Sequence, residues 1–352
     1  MTLDVSDPQE AVGEVARVLA RCRRLVDPAL REAVGRLHPW PGRMAAFTFG
    51  WVEADGTPRE AEGGKALRPA FAMLCAESVG SPPEVAVSGA VAVELVHAFS
   101  LVHDDIMDGD EQRRHRATAW KQYGVGPAVL AGDGLLALAM FTLAQTAERY
   151  SALAVQRLAE ALVELVHGQA EDVAFETRPW SGPHAVTVEE YRAMAVGKTG
   201  SLLGCAAAVG TLLGGGPPAL ADALARMGRH LGLAFQAVDD LLGIWGDPSL
   251  TGKPVFNDLR QAKKTLPVVA ALASGTPAGR RLAVLLAGPL DDEDSLVQAA
   301  ELISEAGGRS FAEAEADLNV SQALRILDTA DLDATAAHEL AVLSRFLVDR
   351  TR

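Results

Sequence analysis

Two long apolar stretches that each run into paired aspartates constrain this sequence more than any other feature. Residues 84–108 read EVAVSGAVAVELVHAFSLVHDDIMD, and residues 219–244 read ALADALARMGRHLGLAFQAVDDLLGI. A helix that is apolar on nearly every face has to be buried. Both stretches are therefore expected as central helices, and each carries carboxylates to the edge of an apolar core.

The surrounding sequence fits such a core. Ala, Leu and Val recur at i, i+3, i+4 and i+7 over most of the 352 residues, and only 5% are aromatic, a pattern of helices rather than strands. Pro and Gly gather at 38–42, 80–83, 214–218, 246–254, 274–279 and 287–290, which marks the expected breaks. No internal repeat or composition shift separates domains. The expectation is one all-α bundle around a deep central cavity, with residues 1–42 as an N-terminal helical extension and 43–352 as the functional domain.

Lys and Arg number 32 against 46 Asp and Glu, a net charge of −14, which excludes a general binder of nucleic acid or anionic membrane. Cys22, Cys75 and Cys205 are far apart and form no CxxC pair, so neither structural zinc nor a disulfide framework is expected. The first residues, MTLDVSDPQEAVGEV, lack the basic and apolar regions of a secretory signal. No uninterrupted apolar stretch reaches the roughly 18 residues a membrane span needs. A cytoplasmic protein without stable membrane insertion is the resulting expectation.

Asp104 and Asp108 lie four apart and thus one helical turn above each other, with Asp105 on a neighbouring line. Three carboxylates at the mouth of an apolar core repel one another unless they are solvated or a cation neutralises them. Oxygen-only donors suit Mg²⁺, which is commonly shared between carboxylates and substrate phosphates. Asp239 and Asp240 repeat the arrangement at the end of the second stretch, with Gln236 one turn earlier. If the two helices lie side by side, their acids would hold two or three ions around a diphosphate.

Basic residues match these acids. Lys65 and Arg68 are three apart at the start of an apolar helix, Arg113 and Arg114 follow the first acidic run, and Lys198-Thr199, Lys253 and Lys263 come later. In an acidic protein such a set suggests a bound polyanion. His97, amid Val, Leu and Phe, reads by itself as a core histidine, as do His103 and His115 without ligand-spaced partners. The run Asp291 to Asp294 reads as a charge cluster at a helix N-terminus.

Taken in order, GGKALRP, VELVHAFSLVHDDIMD, RRHRAT, AGDGLLALA, GQAEDV, KTGSLLG, FQAVDD, GDPSLTGKPVFNDL and AKKTLP resemble the trans-isoprenyl diphosphate synthases, the polyprenyl synthetase family, densely over residues 63–267. The resemblance implies an isoprenoid-synthase helix bundle, usually a homodimer. It also implies Mg²⁺-dependent condensation of isopentenyl diphosphate with an allylic diphosphate. Asp104, Asp108 and Asp239 would hold the metal, with Asp105 and Asp240 in support or as further ligands. Arg113, Lys198, Thr199, Gln236, Lys253 and Lys263 would grip the allylic diphosphate, and Lys65, Arg68, His97 and Arg114 the isopentenyl diphosphate. The role implied for His97 replaces the core-histidine reading.

Two features concern specificity. The second motif reads DDLLG, with Gly243 where the family pattern carries a third aspartate; Asp247 would stand in only if the helix continued past Gly246. Phe99 and Ser100, five and four residues before Asp104, resemble the chain-length positions of geranylgeranyl-forming members. The rival readings are a class I terpene cyclase on the same scaffold and a non-catalytic partner subunit. Lys65, Arg68 and Arg114 argue against the first, and DDIMD with FQAVDD against the second.

Overall fold

The computed structural model describes residues 8–59, 66–113, 115–248, 254–290 and 292–348. These residues are helical almost throughout, with one two-stranded antiparallel ribbon pairing Gln112–Arg113 with Arg116–Ala117. The all-α expectation holds. The fold divides into two compact units: residues 1–162, 202–228 and 326–346, and residues 163–201, 229–325 and 347–352. Each is assembled from interleaved stretches of chain, so no single composition shift along the sequence marks them.

The first unit contains α1 (Pro8–Val34), α2 (Pro39–Thr48), α3 (Leu67–Glu77), α4 (Val87–Met107), α5 (Ala119–Tyr123) and α6 (Val125–Ala144), the beginning of α7 (Ser151–Glu176), and most of α9 (Ser201–Leu213). Helix α4 packs against α1, α3 and α6. Ala90 to Val93, Leu95 and Val96 are all at most 1% exposed, which bears out the all-round apolar reading. Burying one such Val or Leu side chain contributes about 1.5–3 kcal/mol.

The second unit contains the rest of α7, α8 (Val188–Ala195) and the later part of α10 (Pro218–Trp245). It continues with α11 (Asn257–Arg260), α12 (Leu266–Ala273), α13 (Pro277–Leu286), α14 (Glu293–Glu305) and most of α15 (Gly308–Thr329); α16 (Ala334–Val348) belongs mainly to the first unit. One apolar cluster joins Ile244, Leu259, Val268, Leu282 and Leu296; another joins Phe175, Tyr191, Met194, Val238, Leu241 and Leu266. The predicted breaks at 80–83 and 287–290 lie between α3 and α4 and between α13 and α14, those at 38–42, 214–218 and 274–279 run into the helix starts at Pro39, Pro218 and Pro277, and residues 246–254 lie partly outside the described residues. Asp292 caps α14 by accepting the Ser295 N–H at 2.7 Å, with Glu293 and Asp294 in its first turn, as read from the sequence. Asp291 lies outside the described residues.

The membrane expectation needs correction. Among the described residues, Pro83–Met107, Val125–Ala144 and Val188–Leu213 are helices long and apolar enough to cross a bilayer. Their most apolar windows are 61%, 39% and 89% buried within the protein, so core packing accounts for much of that character in the first and last. A helix enclosed by other helices has no polar face, and composition alone then does not separate it from a membrane span.

Candidate active site

Helix α4 stops because Gly109 adopts a left-handed conformation (φ +68°) that side chains disfavour. The Asp110 N–H then turns back to the Asp105 carbonyl at 3.0 Å, closing a Schellman-type end. This leaves Asp104, Asp105 and Asp108 on the last turn, where the negative end of the helix dipole adds to their own charge. Asp105 is buried at 5% exposure, while Asp104 and Asp108 are half-buried.

Arg113 returns along the ribbon and donates from Nε to Asp105 Oδ1 at 2.7 Å, with Nη2 at the same distance from that oxygen. Burial pushes the Asp105 carboxyl up, and the Arg113 charge and hydrogen bond oppose it. Burial pulls the Arg113 guanidinium down, but Asp105 with its acidic neighbours more than offsets this and leaves it raised. The base of the ribbon is fixed by Thr118 Oγ1 and Trp120 Nε1, which donate to the Asp110 carbonyl at 2.8 and 2.9 Å.

Arg68, on the first turn of α3, brings Nη1 to 3.1 Å from Nε2 of His97. The two residues assigned together by resemblance thus meet, although 29 positions separate them. Ser100 Oγ donates to the His97 carbonyl at 2.9 Å. Phe99 is 8% exposed and packs edge-on against His103, with ring centroids 4.7 Å apart. Gly132 of α6 lies directly beneath that imidazole, where a methyl group would collide with it. Lys65 and Arg114 lie outside the described residues.

In the second unit, Asp240 is the hub. It is 4% exposed and accepts hydrogen bonds from Tyr191 Oη at 2.5 Å, the Leu266 N–H at 2.7 Å and Gln236 Nε2 at 3.0 Å. Gln236 in turn accepts from Thr199 Oγ1 at 2.7 Å. Desolvation drives the Asp240 carboxyl up to about 7 against these donors, and the charge of Asp258 adds to the rise. Asp240 was expected among the metal ligands; its oxygens instead point into the protein and tie α8, α10 and α12 together. Asp239, half-buried beside it, is the acid of this motif left nearer the surface.

Lys198 lies in a five-residue π-turn, Val196–Gly200, a widened helical geometry frequent at functional sites. Its Nζ donates to Asp172 Oδ2 of α7 at 2.6 Å. Gly168 allows this approach: a Cβ there would overlap the Lys198 backbone nitrogen and lie 2.6 Å from the Gly197 carbonyl carbon. Asp247 comes after α10 has ended and is exposed, so it does not stand in for the acid missing at Gly243. Lys263 follows α11, its N–H bonded to the Asp258 carbonyl at 2.9 Å. Lys253 lies outside the described residues.

All four non-glycine residues with positive φ among the described ones sit beside these groups: Ala66, His115, Phe256 and Ala262, at φ 48–61°. Such strain costs of order 1–3 kcal/mol per residue and persists where surroundings enforce it. Sequence reasoning missed Tyr191, Asp172, Asp258 and the Leu266 N–H. Asp172 had a signal in the acid of GQAEDV, but a lone Tyr and a backbone N–H carry none.

Among the described residues no three His, Cys, Asp or Glu side chains converge closely enough to hold a metal unaided. The donors that remain near the surface are all carboxylate oxygens, which suits a hard cation that also keeps water and ligand phosphate oxygens.

The polyprenyl synthetase sequence profile matches residues 59–303, which cover both acidic motifs. The chain belongs to the polyprenyl synthetase family. Within it, the chain is 45% identical over 337 residues to a (2E,6E)-farnesyl diphosphate synthase of Mycobacterium tuberculosis, covering 95% of this chain and 92% of that one. It is 40% identical over 353 residues to a geranylgeranyl diphosphate synthase of the same organism, covering 99% and 98%. Among solved structures, a polyprenyl synthetase from Streptomyces coelicolor A3(2) superposes with a TM-score of 0.89 at 48% identity, covering 95% and 99%. A geranylgeranyl pyrophosphate synthase from Corynebacterium glutamicum, complexed with calcium and isoprenyl diphosphate, gives 0.75 at 31% identity, covering 99% of each chain.

Proposed function

We propose that this polyprenyl synthetase condenses isopentenyl diphosphate with an allylic diphosphate, head to tail (1′–4), to a linear trans-polyprenyl diphosphate in a Mg²⁺-dependent reaction. The observation that carries this reading is the end of α4, where Arg113 engages Asp105 while Asp104 and Asp108 stay nearer the surface. Asp104 and Asp108, with Asp239 from the second motif, would hold two or three Mg²⁺ ions; the calcium complex of the Corynebacterium relative supports a divalent ion. Bound metal supplies charge neutralisation at the departing diphosphate.

The protein's own groups then act by position and charge. Arg113, Lys198 and Lys263, with Lys253, grip the allylic diphosphate, so that its C–O bond ionises in a preorganised field. Thr199 and Gln236, already joined at 2.7 Å, set the polar edge of that site. Arg68 and His97, with Lys65 and Arg114, hold the second diphosphate, so that the isopentenyl double bond lies within attack distance of the allylic cation. The proton lost from the adduct passes to the released diphosphate. A cyclase acting on one substrate has no use for the Arg68–His97 pair, which favours the two-substrate reaction.

Geranylgeranyl diphosphate is the product we assign, on the small Ser100 beside a buried Phe99. A homodimer is proposed from α6, where Val125, Val129, Leu130 and Phe141 are 37–50% exposed on one apolar helix. Three buried cysteines, none in a disulfide among the described residues, favour the reducing cytoplasm. The test is incubation of the purified protein with Mg²⁺, isopentenyl diphosphate and, in turn, dimethylallyl, geranyl or farnesyl diphosphate. Elongated diphosphates are expected. Absence of condensation with all three primers, or hydrocarbon release without isopentenyl diphosphate, overturns the reading.

A further inference from the structure

Gly243 sits four residues after Asp239 on α10, on the same face one turn later, where the family pattern carries a third acid. That space is already taken. A Cβ built on Gly243 would overlap the Oδ2 and Cγ atoms of Asp258 and lie 2.9 Å from its Oδ1. The carboxylate of Asp258 therefore rests against the bare Cα of Gly243, and a side chain at 243 would require that carboxylate to move. We propose that Asp258 is the third carboxylate of the second acidic motif, delivered from α11 to the position that Gly243 leaves open, where it takes part in binding the divalent cation.

Several features of the chain hold Asp258 there. Helix α11 is only four residues long, and left-handed residues flank it, Phe256 (φ 61°) before and Ala262 (φ 53°) after. The Phe256 N–H donates to the Ile244 carbonyl at 3.1 Å, which fastens the start of α11 to the end of α10. Leu259, 3% exposed, anchors it in the cluster with Ile244. Asp258 thus stands where a third acid on α10 would act, one turn beyond Asp239.

The inference rests on the metal-dependent reaction proposed above and is separable from it. Mn²⁺ binding is measured by electron paramagnetic resonance in the presence of inorganic pyrophosphate, for wild type, Asp258→Asn, Gly243→Asp and Gly243→Asp/Asp258→Gly. Metal-free unfolding midpoints are recorded for each. Asp258→Asn keeps the shape and is expected to weaken Mn²⁺ about 10- to 100-fold, with its metal-free midpoint close to wild type. Gly243→Asp, with two carboxylates in one space, is expected to lower the midpoint. The double variant moves the acid back to α10 and is expected to recover binding to within a few-fold of wild type.

Wild-type affinity in Asp258→Asn overturns the inference. So does a folded double variant that binds no better than Asp258→Asn; if the double variant fails to fold, Asp258→Asn decides. Wild type that neither binds Mn²⁺ with pyrophosphate nor condenses the substrates removes the proposed reaction instead, and the inference falls with it.

Discussion

Tyr191 and Asp240, carried on α8 and α10, share a buried hydrogen bond of 2.5 Å. The phenol is one of three protein donors that converge on this carboxyl group, and it is the one that joins α8 to the acidic motif. Tyr191→Phe keeps the ring packing and removes only this donor. Unfolding in urea should show a loss of about 1–3 kcal/mol. An unchanged denaturation midpoint would mean that the remaining donors satisfy Asp240 without it.

The same group makes stability depend on pH. Desolvation raises the Asp240 carboxyl to about 7 in the folded chain, against about 4 for an unfolded aspartate. The folded state therefore prefers the protonated form. Its contribution to stability is complete below about pH 4 and is lost as pH rises through about 7. The metal-free protein should melt at progressively lower temperature between about pH 5 and 8, and Asp240→Asn should flatten that slope. Equal slopes in the two proteins would assign the titration elsewhere.

Arg113 supports Asp105 and is also assigned to the diphosphate. Removing it by Arg113→Ala leaves Asp105 buried at 5% exposure without its cation. The expected loss is about 3 kcal/mol, the low end for a broken buried pair, because the Arg113 side chain is itself 34% exposed. Steady-state kinetics should show kcat/KM for the allylic substrate falling about 100-fold or more, with KM for isopentenyl diphosphate little changed. A larger effect on isopentenyl diphosphate would move Arg113 to the other substrate.

Phe99 faces His103, and the His103 ring sits over Gly132 of α6. Phe99→Ala opens space between α4 and α6, at a stability cost of about 3–5 kcal/mol. Chromatography of the products should show chains longer by one or more isoprene units. The wild-type product profile in a folded Phe99→Ala protein would remove this residue as the limit on length.

The acidic ends of α4 and α10 were readable because helical spacing alone stacks Asp104 on Asp108 and puts Gln236 and Asp240 one turn apart. The Pro- and Gly-rich breaks were readable for a similar reason, since those residues act on the backbone locally. What sequence could not supply were pairings set by packing. Tyr191 meets Asp240 across 49 residues, and Asp258 comes to rest on Gly243 through a four-residue helix with no periodicity. The reading that no stretch is apolar enough to span a membrane failed for a related reason: the burial that removes a polar face from α4 also gives it the length and hydropathy of a lipid span.

The left-handed alanines, histidine and phenylalanine have a practical consequence for anyone engineering this scaffold. Ala66 precedes Arg68 by two residues, His115 follows Arg113 by two, and Phe256 and Ala262 bracket Asp258. At the two alanines, replacement by glycine removes a steric penalty of roughly 1–2 kcal/mol each, more than the about 0.5–1 kcal/mol of added backbone entropy, so a screen for heat tolerance would select such changes early; Phe256 also packs on the cluster around Ile244 and Leu259, contacts that glycine would lose. The same exchanges slacken the loops that carry the ligand-gripping side chains. Thermal selection without a turnover counter-screen would therefore drift toward robust but sluggish enzymes.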